Sequence, residues 1–593
     1  MPSFFTLHPR ASAPACVRHG GRKPAADLAL AAPGPRGRAS IQDGPKPNPN
    51  RMYGASAVKT LLSISLAFAS LASAATAQTS TPRLPFTVLH PDDYRHYALQ
   101  FARDERDATG NATADEWPWI AANVPLFDSS NKQFEEMYYF RWYAFEKHVE
   151  TTPDFGYLIT EWTHRPDLPY NGVLPDAASF HLGEARWLRD RKIAEDYARF
   201  WASPEARPRA YSFPWAESVR QVTLATGDAK LGQDLLPDLI ANYKAWDDHL
   251  DPAIGLYWQI DTRDAMEKSI GGDGYRTPLN SYMLADARAI AAFARALNQH
   301  PIAAQYRAKA DTLENLIETR LWNPKDGFYE DLSPAADSGI RREKRFKDPG
   351  TQLKFSGVRE LIGYIPWQFY TPTPGHDIAW KQLFDPQGFA GSFGPTTAER
   401  RSPRFRFASD DQCTWNGPSW PYATTQTLLA LAGLLDGPAQ DDIGRQQYYQ
   451  LFANYVLSMH LKLPTGRTID WIDEDLDADT DEWIAKNMLI AKNKQVGRGN
   501  YYNHSGFADP LITGLIGLRP RADATIDIHP LLPVGAWTYF ALDGLPYHGH
   551  LLAIVYDQTG SHFRRGRGLM LFVDGKKIAA RATLGPIKAE LPH

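Results

Sequence analysis

Helical patterns arrive in pairs along most of this chain, and almost nothing strand-like interrupts them. Pro175–Arg189 precedes Lys192–Trp201, and Trp215–Ala225 precedes Leu231–Leu250 across the turn Thr226-Gly227-Asp228. Leu284, Ala287, Ala291 and Ala294 then recur at spacings of 3, 4 and 3, and a second helix from Ile302 to Leu321 follows the break at Asn298–Pro301. Tyr422–Leu435 and Arg445–Leu461, split by Asp436-Gly437-Pro438, repeat the arrangement, and Lys132–Val149 reads as an aromatic helix ahead of it all. A hairpin of helices buries its apolar face only against neighbouring hairpins, so such a series closes into a ring or stacks as a solenoid. Solenoid repeats keep a regular period. Here the inserts are long, irregular and rich in Trp, Gly and acids, which favours the ring.

From Ala524 the signal changes to alternation, at Thr525–His529, Trp537–Leu542, Leu551–Tyr556 and Leu569–Val573 ahead of an Asp574-Gly575 turn. The expectation is a helical domain over residues 78–522 and a small antiparallel β domain over 523–593, the latter supporting rather than catalysing. Residues 52–77 read as a secretory signal, with Lys59, an apolar run from Leu61 to Leu71, and Ala75-Thr76-Ala77 before Gln78. Residues 1–51 lie upstream of it, so translation is expected to start at Met52, and the mature chain to be periplasmic or secreted.

Partners are bounded by charge. Lys and Arg number 64 against 68 Asp and Glu, a net charge of -4 with no long like-charge block, so attraction to nucleic acid or anionic membrane is not expected. No segment approaches the roughly 20 apolar residues of a transmembrane helix, so no membrane anchor is expected. Cys16 falls in the upstream segment and Cys413 stands alone, without a basic or histidine neighbour in sequence to activate it.

Four stretches carry the chemistry, with a short apolar run as a fifth source. Asp261–Asp286 joins Asp261, Asp264 and Glu267 to Gly271, Gly272 and Gly274, then Tyr275, Arg276 and Asn280-Ser281-Tyr282, the residue set to grip a polyhydroxylated ligand. Phe355–Phe369 sets Arg359 and Glu360 in an apolar segment, and Ser409–Pro421 places Asp410, Asp411 and Gln412 beside Trp415, Asn416 and Trp420. Ile469–Trp483 packs Glu474 and several aspartates between Trp471 and Trp483. The short run Gly156–Trp162 holds Glu161, a carboxylate that must be paired or face a cavity. Tryptophans flanking clustered acids suit sugars, whose C–H faces lie on rings while hydroxyls meet carboxylates. The alternation Asp473, Asp475, Asp477 begins like a calcium loop, but Ala478 replaces the turn glycine and Ile484 the twelfth-position Glu. No zinc spacing, nucleophile elbow or phosphate loop occurs, so no metal or cofactor is expected.

MEKSI at 266–270, RTPLNSYMLADA, TWNGPSW at 414–420, EDLDADTDEW at 474–483 and NHSGFADPLITGLIGLRP resemble the signature regions of glycoside hydrolase family 63 and its mannosylglycerate-hydrolase-like relatives. The resemblance spans about residues 115–520 and implies an (α/α)6 barrel that cleaves an α-linked sugar with inversion, using two carboxylates. It places the general acid at Glu267, where the family has Asp in a Met-Asp-Asn-Ser tract, with Asp264 in reserve, and the base at Glu474 ahead of Asp479-Thr480, with Asp481 where Gly is usual. Inversion independently requires one carboxylic acid and one ionised carboxylate about 6.5 to 9.5 Å apart. Glu161, Arg276, Asn280, Arg359, Glu360, Asp411 and Trp415 are the expected sugar-binding residues, and an oligosaccharide or glycoside with a glucose-, mannose- or arabinose-type bond, cleaved from its end, the expected substrate. A phosphorylase on the same barrel, a lyase acting on an acidic sugar, and a sugar-binding protein without turnover are the rivals, and the acidic Glu474 loop would repel the phosphate the first one needs.

Overall fold

Alanines make helix Thr277–Ala296 narrow enough to be covered on every side, and it is buried along nearly its whole length. A helix so enclosed belongs to an inner layer. In the computed structural model, which describes residues 86–111, 114–163, 165, 168, 170, 172–334, 352–406 and 413–592, five further segments share that layer. In order round the ring they are Ala178–Ala185, Trp215–Thr226, Thr277–Ala296, Pro366–Phe369, Pro421–Asp436 and Ala508–Pro510, and the last packs back on the first. Each is preceded in the chain by an outer segment: Lys132–Glu146, Lys192–Phe200, Lys230–Ala245, His300–Leu316, the 3-10 turn His376–Gln382 and Arg445–Leu457. The result is the (α/α)6 barrel.

The connections are unequal. From inner helix to next outer helix the chain needs only a few residues, as at Gly227, whose left-handed φ of 71° ends Trp215–Thr226. From outer helix to its own inner helix it takes 147–177, 201–214, 246–276, 317–365, 383–420 and 458–507. All six long connections therefore enter the N-terminal ends of inner helices, and they build one mouth of the ring. The stretches singled out above lie in these connections or run on from them into an inner helix.

Most helix positions agree with the periodicity. Helix Lys132–Glu146 is aromatic because both its sides are covered, by Arg95–Thr109 and by strand Leu126–Ser129. That strand was not anticipated: it forms the edge of a five-stranded antiparallel sheet, ahead of Tyr539–Tyr547, His550–Asp557, Gly568–Val573 and Lys576–Arg581. A second sheet of Leu518–Arg519, Thr525–Ile528 and Ile587–Glu590 begins five residues before the expected boundary at 523. The expected signal segment, residues 52–77, and residues 1–51 lie outside the described residues. No helix among the described residues is long and apolar enough to cross a membrane.

Ring closure uses Glu184 as a cap, beside Arg186 and Trp187, which both donate to Asp509. Glu184, buried on Ala178–Ala185, accepts the N–H groups of Phe507, Ala508 and Asp509 at 2.9, 3.0 and 2.8 Å, capping the start of the last inner segment. Glu184→Ala leaves three buried donors without a partner, and equilibrium denaturation should show a loss of about 2–4 kcal/mol. An unchanged denaturation midpoint would show that the closure does not depend on this cap.

Candidate active site

The mouth of the ring brings distant carboxylates together. Glu267 comes from connection 246–276, Glu474 from 458–507, and Glu161 from 147–177, and they are near enough to feel one another's charge. Glu267 follows the 3-10 turn Asp261–Asp264 and sits between two residues in the left-handed region, Ala265 at φ 58° and Lys268 at φ 60°. Non-glycine residues rarely hold that conformation without being fixed by their surroundings. The fixing comes from both sides. Trp415 N–H donates to the Glu267 carbonyl at 3.0 Å, and Ile270 and Gly271 N–H donate to the Glu360 carboxylate at 2.7 and 3.0 Å. Gly271 is required there, since a Cβ would sit 2.5 Å from Glu360 Oε2.

Charge treats the two principal carboxylates differently. Glu267 is half-buried with no cation paired to it among the described residues, and burial, then the charges of Asp176, Asp261 and Glu474, raise its pKa to about 7. Glu474 is fully buried, which also raises it to about 7, but Arg498 Nη2 pairs with its Oε1 and pulls the other way. Cys413 stands close to both. Its thiol is 3.7 Å from Glu474 Oε2 and 4.0 Å from Arg498, and burial beside Glu474 and Glu267 pushes its pKa up, so it is a neutral hydrogen-bond donor rather than a nucleophile.

A second carboxyl pair completes the wall. Glu161 accepts from Tyr502 Oη on one oxygen, while no other protein group donates to its Oε2 or to the Oδ1 of Asp176, and the two carboxyls lie close enough to share a proton. Burial and the charge of Asp176 hold Glu161 well above the ordinary carboxylate range, and Asp176 is pushed up to about 6. The rings of Trp162 and Tyr502 lie 5.5 Å apart beside them, and Tyr211 feels Asp176, Glu267 and Glu161 from connection 201–214. Carboxyl oxygens next to aromatic faces are what a hydroxylated ring needs from a pocket.

Several expected sugar-binding residues stand behind this wall. Arg276 is fully buried and saturated by Asp264 at 2.6 Å, Asp331 at 2.9 Å and Ser269 at 3.2 Å. Asn280 is equally enclosed and bonds to Tyr257 and to the Arg276 carbonyl, all at 2.8 Å. Arg359 clamps Glu399 at 2.8 Å and the Asp326 carbonyl, and Glu360 is taken up by the two N–H groups above. Trp415 is buried and stacks on Trp420 with ring centroids 4.7 Å apart. These five position the wall; the reason is that each polar group already has a protein partner or no exposed surface. Asp264, the reserve acid, is corrected likewise: Ser212 Oγ donates to it at 2.5 Å and Arg276 holds its other oxygen. Asp411 lies outside the described residues. In the acidic run, Asp475 accepts Ala485 N–H at 3.0 Å and Asp477 accepts from Asp479 and Thr480, so these oxygens serve the backbone.

Asp176, Tyr211, Arg498 and Tyr502 escaped the sequence reading. Asp176 and Tyr211 stand singly in mixed segments, and Arg498 lies in a basic, glycine-containing run that reads as a solvated turn.

Residues 170–505 match the model of the mannosylglycerate hydrolase MGH1-like glycoside hydrolase domain, and residues 518–579 that of the glycosyl hydrolase family 65 C-terminal domain. A solved structure described as a sialidase is similar at 35% identity and TM-score 0.76, covering 85% of this chain and 45% of that one, so the chain spans under half that protein's length. More distant are the GH63 mannosylglycerate hydrolase of Thermus thermophilus in complex with glucose, at 14% identity, TM-score 0.42, 63% of this chain and 98% of that one, and the GH78 rhamnosidase of a Bacillus species, at 15%, 0.46, 76% and 41%. The first match covers more than half of the chain, including the loops that carry Glu267 and Glu474, and on that ground the chain belongs to the MGH1-like glycoside hydrolase family.

Proposed function

We propose that this chain is a glycosidase that inverts the anomeric centre it attacks, with Glu267 as general acid and Glu474 as general base, releasing a terminal sugar from an oligosaccharide or glycoside. The observation that carries the reading is the asymmetry between the two carboxylates: both are raised to about 7, but only Glu474 has a cation against it. With both near 7, one carboxyl can be protonated while the other is ionised, and the guanidinium against Glu474 favours the charged form there. Glu267 then carries the proton and Glu474 the charge.

In the reaction Glu267 gives its proton to the glycosidic oxygen as the bond from that oxygen to the anomeric carbon breaks. Glu474 takes a proton from a water whose oxygen attacks the anomeric carbon from the opposite face, and the positive charge that develops on the sugar ring is met by the carboxylates around it. Glu161 and Asp176 offer these oxygens to hydroxyls of the departing ring, with Trp162 and Tyr502 against its apolar face. A glucose-, mannose- or arabinose-type bond fits this set. Export is part of the same proposal, supported by Lys59, the Leu61–Leu71 run and the small-residue site at Ala75–Ala77.

Glu267→Gln and Glu474→Gln should each lower turnover by at least about a hundredfold without disturbing the circular dichroism spectrum. Proton NMR of early product should show the inverted anomer, and wild-type rates in both variants would remove the assignment. The pH profile of kcat/KM should be a narrow bell centred near 7: activity is lost below it as Glu474 gains a proton and above it as Glu267 loses one. In Arg498→Gln the pull on Glu474 disappears, its pKa rises, and the acidic limb should move to higher pH with a lower maximum. An acidic limb that stays in place would assign that limb to another group.

A further inference from the structure

Beside the catalytic cavity runs a groove of about 660 Å³ whose lining includes Arg207, Arg209, Tyr211, Asp248, His249 and Arg263. It is built from the two segments that also hold the acid in place. Ser212 N–H donates to the Arg263 carbonyl at 2.8 Å, Ser212 Oγ bonds Asp264, and Glu267 lies four residues beyond Arg263. Tyr211 lines the groove and also feels the charges of Glu267 and Asp176.

The charges do not cancel. Arg209 is engaged, with the Ala245 carbonyl at 2.7 Å, Asp248 at 3.1 Å, and the Trp246 ring 5.6 Å below it. His249 is held neutral by burial, its Nδ1 2.9 Å from the Trp258 carbonyl. Arg207 and Arg263 are exposed and paired with no carboxylate among the described residues. Two open guanidiniums thus face one groove on a chain whose net charge is -4. A planar guanidinium fork matches a planar carboxylate bidentately.

The side of the cavity tells which part of a substrate would reach them. A general acid stands by the leaving-group oxygen, and Glu267 is on the same segment as Arg263. We infer that the groove is a leaving-group subsite for a uronic-acid-type sugar, whose carboxylate is held between Arg207 and Arg263 beyond Tyr211. The inference rests on Glu267 being the acid for its direction along the substrate, while the site itself stands on the two unpaired guanidiniums.

Titration of the wild-type protein with digalacturonate and with its methyl ester tests it, since the two differ in charge and little in shape. The acid should bind at least about tenfold tighter than the ester, the preference should fade as salt is raised to about 0.5 M, and Arg207→Gln with Arg263→Gln should abolish it at an unchanged melting temperature. Equal binding of acid and ester, or a preference that survives in the double variant, would overturn the subsite. A sulfated galactose disaccharide binding as tightly as digalacturonate would overturn the carboxylate assignment. Hydrolysis of neutral aryl glycosides tests the catalytic reading by itself, so the two can fail separately.

Discussion

A guanidinium shut away from water has to be surrounded by carboxylates, and the loop that carries Glu267 is organised by meeting that demand at Arg276. The residue precedes the long inner helix Thr277–Ala296 and is fully buried against Asp264 and Asp331, with Glu360 close enough to feel its charge. Three carboxylates about one cation is an excess of negative charge, and burial lifts Asp264 to about 6 and Glu360 to about 7, so the cluster can hold protons at neutral pH rather than bear the full repulsion. The carboxylates are not idle. Glu360 also caps Ile270 and Gly271, Asp331 caps Thr277, and Asp264 ties in Ser212 from the neighbouring connection. The loop is thereby anchored to buried charge on both sides of Glu267, which is held in a strained turn between the anchors.

That arrangement separates two tasks which a sequence shows together. Arg276, Asp264 and Glu360 fix the loop, and Glu267 stands on it with no cation paired to it among the described residues. Glu474 is prepared in the opposite way, with Arg498 against one oxygen and the Cys413 thiol near the other. Glu474 is the more deeply buried of the two, and without Arg498 it would be the more strongly raised. One guanidinium offsets that deeper burial and brings Glu474 to about 7, the same value as Glu267.

The helical ring was legible because its signal is repeated: each hairpin carries its own apolar stripe and its own turn residues, and an error in one does not spread to the next. The barrel's six-fold closure came from the resemblance, and the closing contact of Glu184 with residues 507–509 joins positions too far apart for any pattern to reveal. At the site, residue type was a good guide to location and a poor guide to role. Arg276, Asn280, Arg359 and Glu360 do lie in or beside the mouth-forming connections, but a sequence cannot say whether a polar side chain faces the cavity or the layer behind it. Asp176, Tyr211, Arg498 and Tyr502 face the cavity region from segments whose local composition is ordinary. Strand Leu126–Ser129 was missed for a related reason, since four residues pairing with a segment more than 400 positions away leave no local alternation to read.

The long connections all lead into N-termini of inner helices, whose dipoles favour negative charge nearby. That benefit is about 0.3–1 kcal/mol for a helix end, whereas removing a carboxylate from water costs several kcal/mol. Desolvation therefore wins, and Glu161, Glu267 and Glu474 are all raised. A sugar entering the cavity displaces further water and strengthens the same effect. The group that gains most from it is the one without a cation, Glu267.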